Sequence, residues 1–150
     1  MSLSARMTRR AIRWLDFLAD RFLPPDPKAS HLKTGRRGEE DVYFYLREHG
    51  YVMVARNYRT PRRRGEVDLI GWDGDVLCFV EVKTRTTRDV KPAEAAVDYE
   101  KRRELAGMAR AYLRNLRGID EWRFDVVSVY YENQSSPPEI EMFKNAFSVS

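Results

Sequence analysis

The chain has 150 residues, 43% of them hydrophobic and 33% charged, which fits one domain with a hydrophobic core and leaves little room for a second. Its 27 Lys and Arg residues outnumber its 23 Asp and Glu residues, and the resulting formal charge of +4 weakly favours an anionic partner. A single cysteine excludes an intrachain disulfide, and two histidines without a cysteine cluster match no zinc signature.

The N-terminal segment, residues 1–34, differs in pattern from the rest of the chain. Residues 9–23 carry apolar side chains at helical spacing, which predicts a short amphipathic helix. Asp16 and Asp20 interrupt its basic face, so we interpret it as a helix that packs on the domain or on a protein partner rather than on a membrane. No run approaches the roughly 20 apolar residues of a membrane span. We therefore expect a cytoplasmic protein without a membrane contact, in which this extension precedes a domain of residues 35–150.

From residue 35 onward the pattern is α/β. Two helices and five strands are predicted, with a turn of three consecutive arginines between the first two strands. In chain order, these elements are a helix over 36–49, a strand over 51–58, the arginine turn over 60–65, strands over 66–71 and 76–83, a helix over 92–117, a strand over 122–131 and an edge strand over 139–147.

The hairpin of residues 66–83 carries charged side chains among apolar ones. Alternation along the strands puts Glu66 and Asp68 on one face, together with Glu81 and Lys83 of the second strand. If the turn is symmetric about the Asp-Gly pair at 73–74, Asp68 lies opposite Phe79 and Glu66 lies opposite Glu81. Asp68 and Glu81 are then diagonal neighbours, with Cα atoms roughly 7–8 Å apart.

Two facing carboxylates on a half-buried sheet repel each other, and a bound divalent cation would remove that conflict. Oxygen ligands without histidine or cysteine suit Mg²⁺, with Mn²⁺ as a substitute. Such an ion supports hydrolysis of phosphodiester bonds, with Lys83 beside it to orient the attacking water. The alternative is that these charges face solvent or protect a sheet edge, as charged side chains on strands often do.

The order of these residues resembles a known nuclease signature. Asp68 in one strand and Glu-Val-Lys at 81–83 in the next are similar to the PD-(D/E)xK motif of restriction-endonuclease-like proteins, although Val67 stands where the nominal motif has proline. The blocks GRRGEEDVYFYL, ARNYR, GEVDLI, FVEVKTR, AVDYEKRREL and RFDVVSV resemble, in order, those of the bacterial YraN-like family, itself similar to archaeal Holliday-junction resolvases. Val42 departs from that pattern, in which alanine is expected.

The resemblance implies a restriction-endonuclease-like fold, a mixed β-sheet flanked by helices. It implies that Asp68 and Glu81 bind the metal, that the main-chain carbonyl of Val82 is a further ligand and that Lys83 acts as the water-orienting base. Glu39 matches the first-helix glutamate that completes such sites in resolvase-like relatives.

Basic residues flank the predicted site on both sides. Arg62, Arg63 and Arg64 precede the Asp68 strand, Arg85 follows Lys83, and the resemblance places Lys101 on the next helix. Such side chains bind phosphate groups without reading bases, although a solvated arginine loop is the plain alternative. We expect them to contact a nucleic-acid backbone.

Three functions remain open at this point. The first is a Mg²⁺-dependent deoxyribonuclease acting on branched, recombination or damaged DNA, for which a homodimer would supply two cutting sites. The second is a catalytically silent nucleic-acid-binding module. The third is a protein-interaction module that binds its partner through the N-terminal helix. The pattern does not separate DNA from RNA, or endonuclease from exonuclease.

Overall fold

The computed structural model describes residues 27–88 and 97–149, with side chains from residue 31 onward. The chain divides into two compact units, residues 1–37 and residues 38–150, and the β-sheet belongs to the second. The amphipathic helix predicted over 9–23 lies outside the described residues.

Helix α1 spans Pro27–Glu48 and therefore begins nine residues before the predicted start at 36. Residues 27–35 carry few apolar side chains, so the hydrophobic stripe that predicted the helix marks only its buried part. The helix ends at Glu48, two residues before Gly50, whose φ of 88° is readily adopted only by glycine and stops the helix as predicted.

Helix α2 spans Tyr99–Arg114. Asp98 caps its first turn by accepting a hydrogen bond from the Lys101 N–H at 2.9 Å, which satisfies one of the free N–H groups there. The predicted start at residue 92 lies outside the described residues. The helix ends at Arg114, three residues before the predicted end at 117, and Asn115 is its C-cap. Neither described helix has the length and apolar character that crossing a membrane requires.

Five strands form one mixed sheet in the spatial order β1-β2-β3-β4-β5. Only β3 and β4 are parallel, and the chain between them contains α2, as a parallel connection requires. The strands are Val52–Tyr58, Val67–Asp73, Val76–Arg85, Trp122–Tyr130 and Glu139–Phe147. Each predicted strand is present, with shifts of one or two residues at its ends, and β5 is an edge strand.

The predicted pairing of β2 with β3 is wrong by two residues, because the turn is centred one residue further along the chain than predicted. Asp73 pairs with Val76 and Ile70 with Phe79, so the turn consists of Gly74 and the residue after it. Gly74 has a φ of 60° and occupies the first of the two turn positions, where a tight hairpin turn can require glycine. The Asp-Gly pair was expected to fill both positions, but its aspartate is the last residue of β2.

The sheet is buried on both faces, as predicted from its apolar strands. Leu77 and Phe79 of β3 belong to a core with Leu105 and Met108 of α2. The alternate residues of β3 pack on the other face, in a core that includes Val42 of α1. These features confirm an α/β domain with a mixed sheet between helices, consistent with the restriction-endonuclease-like fold.

Candidate metal centre

Asp68 of β2 and Glu81 of β3 lie close together. The regular pairing of the two strands ends at Leu69 and Val80, so these acids lie just beyond its end, where the Glu81 carboxylate acts on Asp68. Both side chains are buried, with 7% and 5% exposed respectively. Asp68 Oδ2 accepts a hydrogen bond from the Val82 N–H at 2.8 Å, which fixes the carboxylate against β3. The Glu81 carboxylate lies near enough to Asp68 to raise its pKa, and the prediction that the two acids share one face of the sheet stays a prediction.

The environment of Asp68 opposes its ionisation. Burial and the nearby carboxylates of Glu81 and Glu39 raise the pKa of Asp68 to about 8, although the Val82 N–H and Lys101 act in the opposite direction. Without a cation, Asp68 therefore holds its proton to a higher pH than an ordinary aspartate, because its ionised form would lie beside like charges. A bound cation would reverse the balance, because positive charge favours the ionised form.

Glu81 has positive charge on one oxygen and no partner on the other. Lys83 Nζ lies 3.1 Å from Glu81 Oε1, and Lys101 Nζ, arriving from α2, lies 3.6 Å from the same oxygen. The second oxygen, Oε2, is buried and has no hydrogen-bond partner among the described residues. Lys101 was predicted as a nucleic-acid contact, and here its amine lies against the candidate metal centre.

A second group of carboxylates surrounds Asp68. One carboxylate oxygen each from Glu39, Glu66 and Asp68 lies within 4.8 Å of the other two. Glu39 reaches this point because Gly38, the residue before it in α1, packs directly against the side chain of Thr84 in β3. A methyl group at Gly38 would collide with that threonine, so the glycine permits the close approach of helix and sheet.

Asn57 supports Glu39 from β1. Its side-chain amide donates a hydrogen bond to Glu39 Oε2 at 2.9 Å. Asn57 lies between the pairs Arg56–Leu69 and Tyr58–Val67, and it has a φ of 47°, a left-handed value that asparagine tolerates better than most residues. The unusual backbone thus occurs beside the acidic group.

Glu66 is the acidic side chain that sequence reasoning left out of the site. Alternation had already put it on the face of Asp68, two residues away, and this was the available signal. Its contact partner is Arg59, whose Nε and terminal nitrogen lie 2.7 and 2.6 Å from Glu66 Oε2. The predicted ligand Val82 contributes its N–H to Asp68, and the role of its carbonyl stays a prediction.

A buried acid in the neighbouring strand β4, Asp125, shows what a structural carboxylate looks like in this fold. Asp125 is fully buried, and it accepts hydrogen bonds from Arg123 Nε at 2.9 Å and from the Asn145 N–H at 2.8 Å. Arg123 also pairs with Asp73 at 2.7 Å. Because Asp125 is satisfied and Glu81 is not, the contrast separates a structural acid from one suited to an ion.

The donor set fits a hard divalent cation. The converging atoms of Glu39, Glu66 and Asp68 are carboxylate oxygens, which Mg²⁺ and Mn²⁺ prefer over nitrogen or sulfur ligands. Glu81 lies near Asp68, and its buried Oε2 has no hydrogen-bond partner among the described residues. The described acidic cluster can therefore hold a metal ion.

The predicted phosphate contacts lie around this cluster. Arg62, Arg63 and Arg64 are exposed in the turn between β1 and β2. Arg85 is half-buried at the end of β3, two residues beyond Lys83. Their contact with nucleic acid stays a prediction.

Sequence comparisons agree with this architecture. The model of the family described as "Uncharacterised protein family UPF0102" matches residues 38–129, which include most of the sheet, α2 and the acidic cluster. A UPF0102 protein of Koribacter versatilis is 53% identical over 143 residues, covering 95% of this chain and 96% of the relative. Another from Solibacter usitatus is 49% identical over 116 residues, covering 75% and 84%. One from Geobacter metallireducens is 38% identical over 117 residues, covering 77% and 93%. The chain therefore belongs to the UPF0102 family, the YraN-like family of the PD-(D/E)xK type.

Proposed function

We propose that this protein is a metal-dependent nuclease that hydrolyses phosphodiester bonds in branched, recombination or damaged DNA. The observation that carries the proposal is the buried pair of Asp68 and Glu81, with two lysines on one Glu81 oxygen and no partner from the described part of the chain on the other. A purely structural acid would be expected to have both oxygens satisfied, as Asp125 does.

The proposed cofactor is Mg²⁺, with Mn²⁺ as a substitute. Asp68 lies between the two sets of carboxylates, so it would hold the ion together with Glu81 on one side or Glu39 and Glu66 on the other. When bound, such an ion acidifies water, polarises the phosphate and neutralises the charge that develops during hydrolysis.

Lys83 is the proposed catalytic lysine. Glu81 holds its amine 3.1 Å away, on the face predicted to carry Asp68, and only 23% of the lysine side chain is exposed. In that position the ammonium can orient the attacking water and donate a hydrogen bond to a phosphate oxygen. Water adds to phosphorus, one ester bond breaks, and the leaving oxygen takes up a proton. Lys101 adds a second positive charge beside the same carboxylate.

The proposed substrate contacts are to the backbone. The exposed arginines of the β1–β2 turn can bind phosphate groups without sequence preference. Cutting both strands of a junction needs two sites, so the proposal includes a homodimer on such substrates.

The test is cleavage of junction, flap and plain duplex DNA in Mg²⁺ or Mn²⁺ by the purified protein. We expect cleavage that Asp68→Ala and Glu81→Ala each abolish. Asp75→Asn, at the exposed hairpin turn of the same two strands, is the matched control and should retain activity. Cleavage that survives in Asp68→Ala would contradict the assigned role.

One contact favours the alternative of a silent binding module. The guanidinium of Arg59 neutralises Glu66 and could take the place of an ion at that oxygen. A silent module would bind DNA with strong salt dependence, show no calorimetric binding of Mn²⁺ at millimolar concentration, and cleave none of the three substrates.

A further inference from the structure

A groove of about 830 Å³ lies between the β1–β2 turn and the C-terminal half of α2. Four of its lining residues are arginines and two more supply an aromatic and an apolar wall. They are Arg59, Arg62, Arg63, Arg114, Tyr58 and Pro61. Arg114 was not among the residues predicted to bind nucleic acid.

The groove is positively charged and its lining contains no acidic residue. Among the described residues, Arg62, Arg63 and Arg114 form no ion pair, whereas Arg59 pairs with Glu66 at the groove's edge. Guanidinium groups that face one volume repel each other, and an anion with several charges would stabilise them together.

The backbone is shaped to bring the turn onto the helix. The Arg63 guanidinium lies where a side chain at Gly107 of α2 would project, so a methyl group at that position would displace it. Gly65 has a φ of 90° and packs against Glu104 of the same helix. Gly65 and Gly107 therefore allow the arginine turn to pack closely against α2.

The walls favour a ligand with bases as well as phosphates. The Tyr58 ring packs edge-to-face on Tyr112, with centroids 5.0 Å apart, which holds it in place at the groove. The hydroxyl oxygen of Thr60, another lining residue, is buried without a partner among the described residues. Basic grooves with aromatic walls are the usual means of binding single strands, and a volume within ~300–1,000 Å³ suits a ligand of drug size, much smaller than a duplex.

The groove is linked to the candidate metal centre by Arg59. Arg59 lines the groove and its Nε donates a hydrogen bond to Glu66 Oε2, one of the three clustered carboxylates, at 2.7 Å. A strand held in the groove would therefore lie one side chain away from the acidic cluster.

We propose that this groove binds an unpaired DNA strand beside the cleavage position, so that the protein selects substrates with a single-stranded segment over continuous duplex. The inference rests on the proposed nuclease function and deepens it, since it names the feature of branched or damaged DNA that is recognised.

Binding is tested by fluorescence anisotropy of a labelled single-stranded oligothymidine in EDTA, over a series of salt concentrations. Arg114→Glu should weaken binding about tenfold and make the salt dependence shallower, because one phosphate contact is lost. The matched control is Arg47→Glu, since both arginines are exposed and lie in the last turn of a helix. The control should stay within about twofold of the wild type, and thermal unfolding of both variants checks that they fold.

Equal affinities of Arg114→Glu and Arg47→Glu for the single strand would contradict the groove proposal. A duplex of the same length that binds as tightly as the single strand would also contradict it. Cleavage assays separate this failure from failure of the nuclease. If Asp68→Ala abolishes cleavage while Arg114→Glu leaves binding unchanged, the nuclease function is supported and the groove proposal is contradicted. If Arg114→Glu loses binding, Arg47→Glu does not, and no substrate is cut, the groove proposal is supported and the nuclease function is contradicted.

Discussion

In the metal-free protein, Asp68→Asn should increase stability near pH 8. The buried Asp68 carboxylate lies among Glu81 and Glu39, which raises its pKa from 3.8 to about 8. Asparagine has nearly the same shape, carries no charge and can still accept the hydrogen bond that Val82 donates. The substitution therefore removes the electrostatic conflict and keeps the packing.

The sign follows from proton binding. Between the unfolded pKa of 3.8 and the folded pKa of about 8, the folded wild type binds more proton at Asp68 than the unfolded chain, so this group's contribution to stability decreases as pH rises. From about pH 5 to about pH 8 the full linkage is roughly 3 units at 1.36 kcal/mol each, or about 4 kcal/mol. Water entry and side-chain relaxation reduce this upper bound, and we expect about 1–3 kcal/mol.

The assay is urea unfolding in EDTA at the two pH values, on wild type, Asp68→Asn and the exposed control Asp75→Asn. The advantage of Asp68→Asn over wild type should be small at the lower pH and reach the expected 1–3 kcal/mol at the higher. Asp75→Asn should follow the wild type at both. An Asp68→Asn protein that is less stable than wild type near pH 8 would refute the reasoning.

Three further predictions concern the lysine, the helix–sheet contact and the groove. Lys83→Met should lower kcat about 100-fold while DNA binding in EDTA stays unchanged, and an unaltered kcat would exclude its proposed role. In urea unfolding, Gly38→Ala should lower the free energy of unfolding by about 1–3 kcal/mol, because the new methyl group collides with β3. Gly35→Ala on the same helix places its methyl group where no other atom lies within 4 Å, so it should raise the free energy of unfolding by up to ~1 kcal/mol. Equal changes in the two variants would argue against that contact. Gly107→Ala should leave the domain folded but weaken single-strand binding measured by anisotropy, because it displaces Arg63, and unchanged binding would remove that arginine from the groove.

Much of the fold was predictable from the sequence because its strands are strongly patterned. The apolar alternation in β3 correctly indicated burial on both faces. The register was not predictable, because the choice between centring the turn on 73–74 or 74–75 depends on the backbone of Gly74. The start of α1 was missed because residues 27–35 carry few apolar side chains, so no hydrophobic stripe marks that part of the helix.

The residues of the candidate site could be predicted where strand alternation sets their positions. They could not be predicted where packing between elements brings them together. Simple periodicity predicts that Asp68, Glu81 and Lys83 share a face. The convergence of Glu39 with Glu66 requires the close packing at Gly38, which no local pattern specifies. The same limit applies to the groove, whose two walls are separated by some 50 residues of chain and meet only in the folded domain.

The claim that this acidic cluster holds a divalent ion is tested most directly by anomalous diffraction from crystals soaked in Mn²⁺. A peak bonded to a carboxylate oxygen of Asp68, together with oxygens of Glu81 or of Glu39 and Glu66, is the expected result. No peak at the cluster, or an Arg59–Glu66 pair intact beside an empty Asp68 at saturating Mn²⁺, would contradict the account.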